Sequence, residues 1–182
     1  LGSHPATKMQ APFGDPDWMI WACSPHNYSK GRLPRVDEWF ELHSPAEDPN
    51  RVASLEEWGK RFGEDGRITI EDGKPIVIMP PTRPLDYLTW VKDEVALQIP
   101  VWVRDTKFFP NCTPYPEEDM HGKFGPFVFT SSIAHMLALA IERKPEAIGL
   151  WGIMQASPNE LSYQRPALQH LMWEAHRAGI KV

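Results

Sequence analysis

Apolar positions in this chain fall into two patterns that alternate along it. One is the short unbroken run. Trp18, Met19, Ile20, Trp21, Ala22 and Cys23 form such a run, of strand length, stopped by Ser24-Pro25-His26-Asn27. The other is the helical stripe. Ile133, Leu137, Ala140 and Ile141 fall on one face of a helix over 132–143, which Lys144-Pro145 ends. Ala147, Ile148, Gly149, Leu150 and Trp151 then read as a buried strand. A second helix is expected over 166–178. Pro166 suits its first position, Leu168, Leu171, Met172 and Ala175 form its stripe, and Gly179 suits the residue after its end.

The middle of the chain is less regular. Strands are expected over the second half of 35–43, over Ile68-Thr69-Ile70 between two turn signals, over 75–79 and over 99–103. Ser54-Leu55-Glu56-Glu57 resembles a capped helix start, and 86–97 has a helical mix. The 108–116 segment, with three prolines, reads as loop, and 117–123 as one or two helical turns. Strands alternating with helices predict an α/β domain spanning 1–182. Its sheet is mostly parallel with helices on both faces, and a less regular insertion falls around 45–125. The start at Leu1 and the end on Gly179-Ile180-Lys181-Val182 suggest trimmed termini, with a first strand ahead of Leu1. An expression-tag remnant is the other reading of Leu1-Gly2-Ser3-His4.

Composition narrows the function classes. A formal net charge of -5 disfavours duplex nucleic-acid binding through phosphate neutralisation, though an acidic protein can hold a small anion locally. Cys23 and Cys112 lie far apart, with no zinc or disulfide pattern, which suits a reducing, cytoplasmic setting. No apolar run is long enough for a membrane span. The seven histidines form no ligand spacing, so neither a metal nor another cofactor is expected. Glycine-rich dinucleotide, P-loop and serine-hydrolase motifs are missing.

In a parallel sheet, ligands bind beyond the carboxyl ends of the strands. The turns expected there are 2–5, 24–27, 130–132 and 152–165. Thr130, Ser131 and Ser132 open the clearest helix. They read either as an N-cap or as contacts to a phosphate at the helix N-terminus. Arg165, close to another helix start, would be relieved by a ligand phosphate or carboxylate, or is exposed to water. Tyr163 could stack on a base or sugar, or pack internally. His4 and His26 sit on ligand-side turns and suit acid–base work near neutral pH. Asp37, Glu38 and Glu41 read chiefly as a solvated strand face, and less well as a carboxylate pair for glycoside hydrolysis.

Several of these segments together resemble small bacteriophage and prophage proteins with a Rossmann-like sheet. The matching pieces are Gly2-Ser3-His4-Pro5, the W-x-x-W-A-C-S-P stretch of 18–25, Phe129-Thr130-Ser131-Ser132, Ile148-Gly149-Leu150-Trp151-Gly152 and Tyr163-Gln164-Arg165. The order of motifs is also distantly similar to family-42 bacterial sialyltransferases. That resemblance implies that Gly2, Ser3 and Pro5 hold a nucleotide and that Ser24 replaces an asparagine. It puts Thr130, Ser131 and Ser132 on phosphate, with Gly152 and Ile153 bordering the nucleotide. Gln164 and Arg165 complete the binding set, and His26 and Tyr163 are the catalytic candidates. Met154 stands where the sialyltransferases have aspartate, and no histidine precedes the last helix. The implied function is nucleotide or nucleotide-sugar binding, with glycosyltransferase-like chemistry as the enzymatic form. The alternative is a non-catalytic nucleotide-sequestering or structural phage protein. The expected partner is a small nucleotide ligand, with homo-oligomerisation left open and no membrane contact.

Overall fold

A computed structural model describes residues 1–2, 5–23, 33–42, 68–71, 74–77, 95–96, 98–104, 106, 109–153 and 164–182. The expected helices at 54–62 and 86–97 fall wholly or mostly outside these residues.

Four parallel strands form the sheet: β1 (Trp21–Cys23), β2 (Glu38–Glu41), β5 (Val101–Val103) and β6 (Thr113–Pro114), side by side in that order. A separate antiparallel hairpin joins β3 (Ile68–Glu71) to β4 (Lys74–Val77). Among the described residues the α-helices are α1 (Pro5–Lys8), α2 (Glu117–Phe124), α3 (Ser132–Arg143) and α4 (Gln164–Arg177). Among the described residues no helix is long and apolar enough to cross a membrane.

Backbone hydrogen bonds extend this order beyond β1. The amine of Leu1 donates to the Trp21 carbonyl at 2.6 Å, and the Leu1 carbonyl faces Cys23 Sγ at 3.7 Å. The Leu1-Gly2 dipeptide therefore runs the same way as β1. On its other side Gly2 N–H donates to the Trp151 carbonyl at 2.9 Å. Successive amides pointing to opposite sides are the mark of a strand with a neighbour on each flank. Farther out, Ala147 bridges Lys181 in parallel. The lateral order is thus 181, 147–151, 1–2, β1, β2, β5, β6. From Gly2 the chain returns to the β1 side, whereas from 151 it returns to the 181 side. The sheet reverses its winding between these two segments.

Side chains alternate between the faces of the sheet. Cys23 and Phe40 pack with Leu137 of α3 and Leu168 and Leu171 of α4 in one core cluster. Ala22, Trp39, Val101 and Val103 point the other way, into a second cluster with Val95 and Phe109. The α3 stripe buries Leu137 and Ile141 as its spacing predicts, and Ser131 caps it by accepting the Ala134 N–H at 3.2 Å.

Four sequence expectations need correction. The apolar run at 18–23 yields a strand only from Trp21, because Trp18 closes a turn onto Asp15. The 108–116 loop contains β6, recruited by pairing with β5 despite its prolines. Residues 147–151 form one bridge rather than a buried strand, and they are only half-buried. Finally, β2 is not a solvated face. Glu38 and Glu41 are both buried. The Arg143 guanidinium forks onto the two Glu38 oxygens, one at 3.1 Å, and Trp102 Nε1 donates to the same carboxylate. Arg143 Cζ also lies 4.7 Å from the Trp21 ring centre and 5.4 Å from that of Trp102. Aromatic faces and a carboxylate together hold this cation.

Removing one partner of such a pair leaves the other charge buried and unmatched. Arg143→Ala should destabilise the protein by about 2–4 kcal/mol in chemical denaturation, toward the lower end because the guanidinium is partly solvated. Pairing it with Glu38→Gln should recover part of that loss. A single-variant loss under about 0.5 kcal/mol would contradict this account of the pair.

Candidate functional site

The place where the winding reverses is built from two glycines. A Cβ on Gly2 would fall on the carbonyl of Gly152, and one on Gly152 would lie 2.6 Å from the Gly2 oxygen. Gly152 also has φ +70°, a conformation L side chains rarely adopt. Both glycines are buried. Thr7 of α1 fixes this crossing by accepting the Gly152 N–H on its hydroxyl at 2.9 Å. Ile153 follows, close enough that its Cγ1 would touch a Cβ on Gly2. The sequence therefore puts two closely approaching backbones at the carboxyl ends of adjacent segments, where open α/β sheets receive ligands.

The second part is the start of α3. Ser131 takes the cap role: its hydroxyl and carbonyl both accept the Ala134 N–H, and its carbonyl also accepts the His135 N–H. A ligand phosphate at this terminus would thus share the first-turn amides with an existing cap. Behind the cap lies a ring cluster. Phe129 sits 4.7 Å from the His121 ring and 4.9 Å from the His135 ring, and Tyr115 lies 5.2 Å from His135. Tyr115 donates its hydroxyl to the His135 carbonyl. His135 Nδ1 lies 2.9 Å from the Ser131 carbonyl, which can only accept, so that nitrogen carries the proton and Nε2 is bare. Nε2 of His135, Nε2 of His121 and Oγ1 of Thr130 are all buried without a hydrogen-bond partner.

Electrostatics here favour neutral imidazole. Burial holds the His135 pKa below its ordinary value, outweighing the Ser131 hydrogen bond and the attraction of Glu117. Burial raises the Glu117 carboxyl, but its hydrogen bonds and charge contact with Arg104 win and lower it overall. Cys23, at the carboxyl end of β1, is pushed up to about 11 by burial, so it is a thiol at neutral pH and no nucleophile.

Of the residues expected to bind or react, Gly2, Gly152 and Ile153 come together at the crossing. Thr130, Ser131 and Ser132 stand at the start of α3. Ile153 and Ile133 of the first α3 turn line one groove, which joins the two parts. Gln164 and Arg165 are not in a loop ahead of the last helix but in its first turn, because α4 begins two residues before Pro166. Pro5 opens α1. Ser3, His4, Ser24, His26 and Tyr163 lie outside the described residues. Sequence reading missed Thr7, His121, Tyr115 and His135 as members of these surroundings; Thr7 follows Pro5 by two residues and His135 follows Ser132 by three, but neither spacing signals the contact. Among the described residues no group of three or more His, Cys, Asp or Glu could hold a metal ion. In comparisons with protein-family models, curated proteins and solved structures, nothing matches this chain.

Two outcomes test this geometry. Gly152→Ala must both displace the Gly2 backbone and hold a positive φ, so it should cost about 2–4 kcal/mol in denaturant unfolding. A neutral substitution would separate the two backbones. The second concerns pH. With the folded His135 pKa depressed, the unfolded chain binds the proton first. The His135 contribution is therefore complete above about pH 6.5 and is lost as pH falls through the folded value. Stability should fall on acidification below pH 6.5 with a His135 share of up to about 1.4 kcal/mol per pH unit. His135→Gln should remove that share. An unchanged pH slope in the variant would show that His135 is solvated.

Proposed function

We propose that the protein is a Rossmann-like binder of a nucleotide or nucleotide-sugar, held at the carboxyl edge of the sheet where its winding reverses. The observation that carries this reading is the Gly2–Gly152 crossing. Each backbone fills the space a side chain on the other would need, and the crossing brings the carboxyl ends of two adjacent segments together at a topological switch point, where ligands are received. Ile153 and the α3 start form the neighbouring wall. The first-turn amides and helix dipole of α3 supply the positive pole for phosphate, with Thr130, Ser131 and Ser132 as its hydroxyl contacts. Gln164 and Arg165 lie on the first turn of α4. Arg165 there brings a cation to the same type of edge and complements a diphosphate.

In the transferase form of this reading, the leaving group is the nucleotide phosphate. Fixed amide dipoles that already point at it stabilise the charge that grows as the glycosidic bond breaks. His26 and Tyr163 remain the candidates for proton transfer.

Thermal unfolding with CMP, UDP and ADP, their sugar conjugates and the bare nucleosides tests the proposal. A nucleotide at about 100 times its Kd should stabilise the protein by about 2.7 kcal/mol, with nucleosides giving much less. Ser131→Asp preserves a good helix cap but places a negative charge where phosphate would sit. It should keep the basal Tm and lose the nucleotide shift. No shift with any nucleotide would refute binding, and an equal shift in Ser131→Asp would move the phosphate away from α3.

A further inference from the structure

An apolar groove, about 280 Å³ in volume, touches the proposed ligand edge at Ile133 and Ile153 and continues beyond it. It runs along the sheet from the Leu1 amine toward the amino ends of its neighbours. One wall includes Met19 and Trp21, the other Ile148 and Leu150, and Met136 and Ala140 of α3 form the floor. The two walls are the segments that flank Leu1-Gly2 in the lateral order of the sheet. Alongside the groove, the space between them holds no backbone among the described residues.

The walls carry the signs of an incomplete ladder. Residues 147–151 are half-buried, whereas an inner strand of a parallel sheet is covered on both faces. Ile148 N–H donates to the Lys181 carbonyl and Lys181 N–H to that of Glu146, so this segment is bonded on the side away from the groove. Met19 is 58% exposed at the opposite wall. Trp151 folds its ring over Gly149 and meets Trp18 edge to face at 5.5 Å, which closes the mouth with aromatic surface. The Leu1 amine caps the far end, and burial lowers its pKa.

The register follows from Leu1 and Gly2. Leu1 N–H points to β1 and Gly2 N–H to Trp151. Continued backwards, successive amides would face the carbonyls of Gly149, Met19 and Ala147 in turn, and a fourth residue would reach the turn that Trp18 closes onto Asp15. Four such residues span about 13 Å. A peptide bond at the Leu1 nitrogen would also replace a buried ammonium by a neutral amide.

We propose that this groove is a strand-acceptor slot, which takes an extended apolar stretch of about four residues, joined to the Leu1 nitrogen and parallel to β1, as a central strand between β1 and residues 147–151. The occupant is named by its chemistry: β-branched residues with no proline where amides must meet Gly149 and Ala147. The slot shares Ile133 and Ile153 with the proposed ligand edge, but its filling requires no ligand there.

The test extends the full 182-residue chain. One version carries Val-Ile-Val-Val ahead of Leu1, a second Gly-Ser-Gly-Ser, and a third the apolar sequence with proline directly before Leu1. The apolar extension should raise Tm by about 5 °C or more over the Gly/Ser control. It should also blue-shift tryptophan emission and protect the Gly149 and Trp151 amides from exchange. The proline version should lose most of the gain. Equal Tm and protection in all three would overturn the proposal. So would an equal gain from the free acetylated peptide added to the unextended chain, which would make the slot a site for separate peptides. Concentration-dependent burial of the same tryptophans in the unextended chain would instead assign the groove to a second copy.

Discussion

Two backbone hydrogen bonds, one to each side, fix the centre of this protein. Leu1 reaches Trp21 and Gly2 reaches Trp151. They join β1 and its neighbours to the 147–181 segment through the backbone, beside the core that both share. With them, the sheet continues across its reversal point. The cost of so close an approach is met by composition: both positions where the two backbones touch are glycine, and Thr7 satisfies the amide that the turn at Gly152 leaves over. The proposed ligand edge and the proposed strand slot are the two ends of this one feature. The crossing itself stands at the carboxyl ends of both segments. Below it, an apolar trench runs between the same two walls.

The α3 helix ties that centre to the rest. Its stripe covers the face of the sheet that bears Cys23 and Phe40, and its last residue, Arg143, reaches back to Glu38. A carboxylate inside a sheet is expensive unless paired and hydrogen-bonded. Here it receives a guanidinium and an indole N–H, and two tryptophan faces flank the guanidinium. The same helix presents its amino end, with Ser131, to the carboxyl edge. One rigid element therefore sets both the depth of the trench and the position of the dipole proposed for phosphate. The ring cluster of Tyr115, Phe129, His121 and His135 braces that end from behind.

Much of this was legible in the sequence wherever local signals agreed with tertiary demands. The bounds of α3, the αL glycine after α4 and the strand ending at Cys23 follow from stripes, caps and breakers. What escaped depends on distant partners. Nothing local announces that Glu38 is buried, because its partner is Arg143, 105 residues away. The proline-rich strand β6 exists through its pairing with β5. Residues 147–151 look like a buried strand because they have the right composition, yet they are half-buried and make one bridge, from Ala147 to Lys181. For the candidate site, the glycines and hydroxyl residues were visible as small residues at turns, but the contact between Gly2 and Gly152 joins opposite ends of the chain and no spacing rule reveals it.

The central claim is that Gly2 is an inner-strand residue bonded to Trp151. Scalar coupling across that hydrogen bond, from the Gly2 amide nitrogen to the Trp151 carbonyl carbon in a doubly labelled sample, measures it directly. The account predicts a resolved coupling and a Gly2 amide that exchanges with solvent far more slowly than in an unfolded chain. A Gly2 amide without coupling, exchanging at the free-peptide rate, would contradict it.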